Sequence, residues 1–166
     1  VESFAELAKI RTDVHLVIVG PDDGFKDTLD KLISDLNIKD RVLFTGFQRG
    51  EAKLSALVDA DVVIQTSRYE QGAWAPFEAV LCNTPIIVSS NSGAGEDVKK
   101  AGAGYLVEYG NKTQLSDKIS HVLDNLEEAS KITQQGKRYI IENLSLSSGI
   151  QKYLRLYQEV LKENRK

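Results

Sequence analysis

The 166 residues carry 21 lysines and arginines against 24 aspartates and glutamates, a net charge of −3. That balance argues against a nucleic-acid binder, which usually shows a basic face, and the length fits one domain with a sizeable core. The single cysteine, Cys82, excludes a disulfide within these residues; it sits in an apolar run that predicts burial and suits a reducing, intracellular setting.

No apolar run reaches the length of a membrane span, and the opening VESFAELAKIRTD lacks the basic start and apolar core of a signal peptide. Met is absent even at position 1, and the chain opens inside a helical pattern. The expectation is a piece of a longer polypeptide; the alternative is a processed mature protein.

Val1, Phe4, Leu7 and Ala8 recur at helical spacing and predict an amphipathic helix over residues 1–10. Residues 14–19, VHLVIV, read as a strand ending at Gly20, and residues 20–24, GPDDG, as a punctuated loop. Phe25, Leu29, Leu32, Ile33 and Leu36 predict a second helix. Residues 41–45 form a short strand closed by Gly46, a short helix opens near Gly50, and residues 61–65 are another strand. Residues 75–81 predict a helix with Pro76 tolerated in its first turn. A strand over 85–89, a small-residue loop over 91–95 and a strand over 104–107 follow. Three helices close the chain: one lined by Leu115, Ile119, Val122 and Leu123, one over 127–142, and one over 147–162. The last carries Ile150, Tyr153, Leu154, Tyr157, Val160 and Leu161 on one stripe.

Apolar strands separated by helices are the signature of an α/β fold, a parallel sheet with helices on both faces. Ligands in such folds sit beyond the carboxyl ends of the strands. Here those ends are Gly20, Gly46, residues 66–70 and residues 89–93.

The segment RYEQGAWAPFE, residues 68–78, places Glu70 and Glu78 eight residues apart, one past a strand and one about a turn into a helix. A helix start offers free N–H groups to a phosphate. Carboxylates repel phosphate but accept hydrogen bonds from neutral hydroxyls. The pair therefore fits a ligand with a central diphosphate and a hydroxylated ring at each end; the alternative is two surface carboxylates. The Gly20 turn can face an anion, yet it matches neither a dinucleotide fingerprint nor a P-loop and can equally be an ordinary turn. Residues 91–96, NSGAGE, either let backbone approach a ligand or are plain turn residues, with Glu96 able to open a helix to Lys100. Trp74 either flanks a ligand ring or belongs to core or interface. His15 starts a strand and reads as a packing residue. No Cys/His cluster, no D-x-D pair placed for a metal and no G-x-S-x-G element is present, so no metal is expected. The basic residues of the last helix are compatible with membrane contact, and Tyr153 and Tyr157 equally suit packing on a partner domain.

The pieces VHLVIVGPDDG, DRVLFTGF, ADVVIQTSRYEQGAWAPFEAVLCNTPIIVSS and GYLVEYGN cover nearly the whole chain. Together they resemble the C-terminal, donor-binding domain of retaining GT-B glycosyltransferases (glycosyl transferases group 1), which include sucrose and mannosyl transferases. The resemblance implies one Rossmann-like nucleotide-sugar-binding domain over residues 1–166. Its first strand, with the basic residues that neutralise the diphosphate, would precede Val1, and its helix over 147–166 would pack on an N-terminal acceptor domain. It implies transfer of a hexose from a UDP-, GDP- or ADP-sugar to a hydroxyl of a sugar, lipid or small molecule, with no cofactor. The setting would be the cytoplasm or the membrane periphery, and the donor half would be inactive alone. Glu70 would sit at the donor sugar in the catalytic site and Glu78 would hold the ribose. Gln71, Gly72, Ala73, Trp74 and Ala75 would contact sugar and phosphates; Gly46, Phe47 and Gln48 would approach the base; Gly20 would line the same cleft. The family commonly has Gly directly after its first glutamate, then an aromatic and a second Gly. Gln71 and Ala73 depart from that pattern, so the sugar pocket is expected to be altered. The alternatives are a nucleotide-sugar epimerase of the same fold and a non-catalytic binding or scaffold domain; no pyridoxal-phosphate lysine signature supports a phosphorylase.

Overall fold

A computed structural model describes residues 1–70 and 72–163. The elements in chain order are α1 (Glu2–Ile10), β1 (Leu16–Val19), α2 (Lys26–Asp35), a 3-10 turn (Lys39–Arg41), β2 (Val42–Gly46), α3 (Gly50–Asp59), β3 (Val63–Gln65), α4 (Ala75–Leu81), β4 (Ile86–Ser89), α5 (Gly93–Ala101), β5 (Tyr105–Val107), α6 (Lys112–Asp124), α7 (Leu126–Asn143) and α8 (Leu146–Glu163). Every strand pairing is parallel, and the strands form two sheets, β1–β2 and β3–β4–β5. The fold is thus α/β and Rossmann-like, with its strands divided where one sheet was expected.

The period-two alternation of a strand sorts the core into two layers. Ile87 of β4, Ile64 of β3 and Val107 of β5 pack in one cluster with α1, α2 and α6. Their chain neighbours Ile86, Val88, Val63 and Leu106 pack in the other, with α3, α4, α5 and α7. The three-stranded sheet is therefore covered on both faces. The two-stranded sheet meets the first cluster through Leu16, Val42 and Phe44, while Val17 and Leu43 remain 49% and 59% exposed. Arg41 secures this sheet's entry. Its guanidinium donates to the carbonyls of Ala8, Arg11 and Val14 at 2.7–3.0 Å and lies over the Phe4 ring.

Three local expectations are corrected. Residues 91–95 are not a loop: α5 begins at Gly93, because the Ser92 hydroxyl accepts from the Gly95 N–H at 3.0 Å and caps the helix. Gly95 is needed there for close approach, since a Cβ would lie 2.0 Å from the Ser89 carbonyl oxygen. His15 precedes β1 and is exposed, so it is no packing residue, and Cys82 is half-buried rather than buried. The helix α8 packs on α7 and leaves Leu146, Ile150, Tyr153, Leu154 and Tyr157 exposed.

Candidate functional site

At the ends of β1 and β2 the chain turns on glycine. The Gly20 N–H donates to the Gly46 carbonyl at 3.0 Å, which binds the two strand ends together. Gly46 has φ 67°, a left-handed conformation that glycine adopts without cost. The turn exposes Phe47, and Gln48 folds back to donate from Nε2 to the Thr45 carbonyl at 2.8 Å. In the following loop the Asp22 carboxylate accepts from the N–H groups of Gly24, at 2.8 Å, and Lys26, at 3.2 Å. Those backbone hydrogen bonds hold its carboxyl below the ordinary aspartate range. Two of the donors that an anion could use are thereby taken by the chain itself.

Beyond β3, Glu70 is fixed from two sides. Its carbonyl accepts from the Gly93 N–H at 2.9 Å, tying the loop to the start of α5, and its Oε1 accepts from the Gly72 N–H at 2.5 Å. Its Oε2 is buried and has no hydrogen-bond partner among the described residues. Gln71 lies outside the described residues. Ala73 is half-buried and Ala75 opens α4. Trp74 is 66% exposed and meets Phe77 edge-on at 6.4 Å, so it belongs to the surface rather than to the core.

Buried Pro76, Phe77, Ala79 and Val80 seat the seven-residue helix α4. Glu78, in its first turn, is half-buried and pairs through Oε1 with Lys53 Nζ at 2.7 Å. Lys53 stands on α3, so this ion pair joins the helix after the Gly46 turn to the helix after the Glu70 loop. Sequence reasoning missed Lys53. A lysine 25 residues from its partner carries no local signal; only the packing of α3 on α4 brings the two together.

Glu70, Trp74, Glu78 and the Gly20 and Gly46 turns all follow the carboxyl ends of parallel strands, whereas His15 precedes β1 and Cys82 caps the end of α4. Direct contacts join Gly20 to Gly46, Glu70 to Gly72 and Gly93, and Glu78 to Lys53. Two surface concavities, around Asn125 at the α6–α7 corner and around Gly102 and Gln135 between α5 and α7, contain none of them. Among the described residues no group of three or more His, Cys, Asp or Glu is placed to hold a metal ion. No described helix is long and apolar enough to cross a membrane.

The model of the family described as glycosyl transferases group 1 matches residues 1–139. Among curated proteins, N-acetyl-alpha-D-glucosaminyl L-malate synthase of Bacillus anthracis is 28% identical over 165 residues, which is 99% of this chain and 42% of that protein. Among solved structures, Anabaena HepE in complex with UDP and glucose superposes with a TM-score of 0.81 at 23% identity, over 95% of this chain and 44% of that one. The C-terminal domain of a glycosyl transferase group 1 family protein, LpcC, from Francisella tularensis gives a TM-score of 0.72 at 23% identity, over 87% of this chain and 79% of that one. These structural likenesses establish the fold. The chain spans about two fifths of the length of the Bacillus and Anabaena proteins.

Proposed function

The chain belongs to the glycosyl transferases group 1 family, and from that premise we propose that it is the donor-binding half of a retaining GT-B glycosyltransferase. The complete enzyme moves a hexose from a nucleoside-diphosphate sugar to a hydroxyl of a sugar, lipid or small-molecule acceptor. Glu70 orients the donor sugar and Glu78 accepts from the ribose hydroxyls. The backbone from Gly72 to Ala75 runs past the sugar and phosphates, Gly46 to Gln48 approaches the base, and Gly20 lines the cleft. The observation that carries this reading is the state of Glu70. One of its oxygens is satisfied by Gly72 and the other is buried without a partner among the described residues. A buried carboxylate oxygen without a donor is costly, and a sugar hydroxyl is a donor of the right size and charge.

Bond cleavage builds negative charge on the departing nucleoside diphosphate, and the catalyst must stabilise it there. We assign the cations for that step, and the acceptor site, to polypeptide beyond these residues; alone, the donor half binds nucleotide weakly and does not turn over. The exposed apolar side chains of α8 serve as contact with that acceptor half. A cytoplasmic setting, with contact to the membrane surface where the acceptor is a lipid, suits a nucleotide-sugar donor and a lone half-buried thiol.

The test is calorimetric titration of the full-length protein with UDP-, GDP- and ADP-sugars, beginning with UDP-glucose because HepE was solved with UDP and glucose. Saturable binding of one donor is expected; no binding of any overturns the reading. Glu70→Ala is expected to lower kcat by roughly 100-fold with a smaller change in donor affinity. Glu78→Ala is expected to weaken donor binding by about tenfold. Unaltered kinetics in both variants counts against the assignment.

A further inference from the structure

The Glu78 carboxylate does not stand alone. Its Oε1 lies 2.7 Å from Lys53 Nζ, with the two side chains 36% and 38% exposed. The approach is prepared by packing. Lys53 and Leu57 are four residues apart and share a face of α3. Leu57 is buried in the cluster that contains Phe77 and Val80 of α4. The Thr84 hydroxyl, just past α4, donates to the Leu57 carbonyl at 2.5 Å. The face of α3 that carries Lys53 is thus clamped against α4, and the ammonium reaches Glu78 from one turn away.

We propose that Lys53 is a positioning residue for nucleotide recognition: it holds the Glu78 carboxylate in the orientation that receives the ribose hydroxyls and offsets its charge beside the diphosphate. The inference rests on the assignment of Glu78 to the ribose. A free glutamate gives up rotamer freedom when it grips a ligand; a carboxylate already held by an ammonium has given up much of it before the ligand arrives. A bare carboxylate near a diphosphate repels it, whereas a lysine–glutamate pair presents little net charge. Capacity is not exhausted, because a carboxylate offers about four acceptor positions and Lys53 takes one on Oε1. Part-exposed ion pairs add little to folding stability, so a neutral residue at position 53 leaves the fold intact.

The test compares, by calorimetry on the full-length protein, the affinity for whichever of UDP, GDP and ADP binds with that for its 2′-deoxy counterpart. The wild type is expected to prefer the ribonucleotide by about tenfold. Lys53→Met is expected to reduce that preference to below about threefold, with an unchanged urea midpoint, and Lys53→Arg to retain most of it. Should the methionine variant lose its fold, Lys53→Gln serves as the neutral variant. Loss of the preference in Glu78→Gln but not in Lys53→Met overturns the role of Lys53 and leaves that of Glu78 standing. An equal fall in affinity for both nucleotides in Lys53→Met also overturns the positioning role, since positioning at the ribose must act on the difference whereas charge offset at the diphosphate acts on both alike. No ribose preference in the wild type, or one untouched by Glu78→Gln, overturns the Glu78 assignment itself.

Discussion

β1 and β4 are both four-residue apolar strands, LVIV and IIVS, yet every residue of β4 is buried while those of β1 alternate between half-buried and exposed. Side-chain character does not separate them. Cover does. β4 has α1 and α6 on one side and α4, α5 and α7 on the other, whereas β1 and β2 press only one face into the core. An apolar run records that a strand tolerates cover on both faces; which faces are covered is decided by elements far away in the chain.

The sharpest way to break the comparison is at the better-covered sheet. Gly95→Ala drives a methyl group against the Ser89 carbonyl, backbone that cannot yield cheaply. It is expected to destabilise the protein by about 3 kcal/mol in urea unfolding, with the loss concentrated in the β3–β5 half. The β1–β2 sheet relies instead on the guanidinium at its entry. Arg41→Ala strands the carbonyls of Ala8, Arg11 and Val14 and is expected to cost about 2 kcal/mol. Hydrogen exchange should then speed up in β1 and β2 before β4 responds. The smallest effect belongs to the open face: Val17→Thr is expected to change stability by less than about 0.5 kcal/mol. A loss there as large as that of Ile87→Thr would mean that the two sheets are equally covered.

Much of this arrangement was legible residue by residue. The helix over 75–81 is matched at both ends, because Pro76 suits a first turn and the apolar residues behind it share a face. The strand expected over 14–19 begins two residues later, since the Val14 carbonyl is taken by Arg41. Residues 91–95 read as a loop because all are small or polar; the Ser92 cap and the close packing that selects Gly95 emerged only from the structure. The division of the strands into two sheets left no trace in the apolar pattern, because pairing is non-local. At the candidate site, a strand end and a helix start placed Glu70 and Glu78. The buried Glu70 oxygen and the Lys53 partner emerged only from the packing of loops and helices distant in sequence.

Among the described strands no backbone ladder crosses from β1–β2 to β3–β5; the two units share one hydrophobic cluster, to which Leu16 and Val42 of the first and Ile64 and Ile87 of the second contribute. Contacts of that kind weaken as water is chilled, whereas the ladders inside each unit do not lean on that force alone. Chilling is therefore expected to loosen the seam between the units ahead of either unit, a loss that faster hydrogen exchange in the cold at the backbone of those cluster residues would reveal.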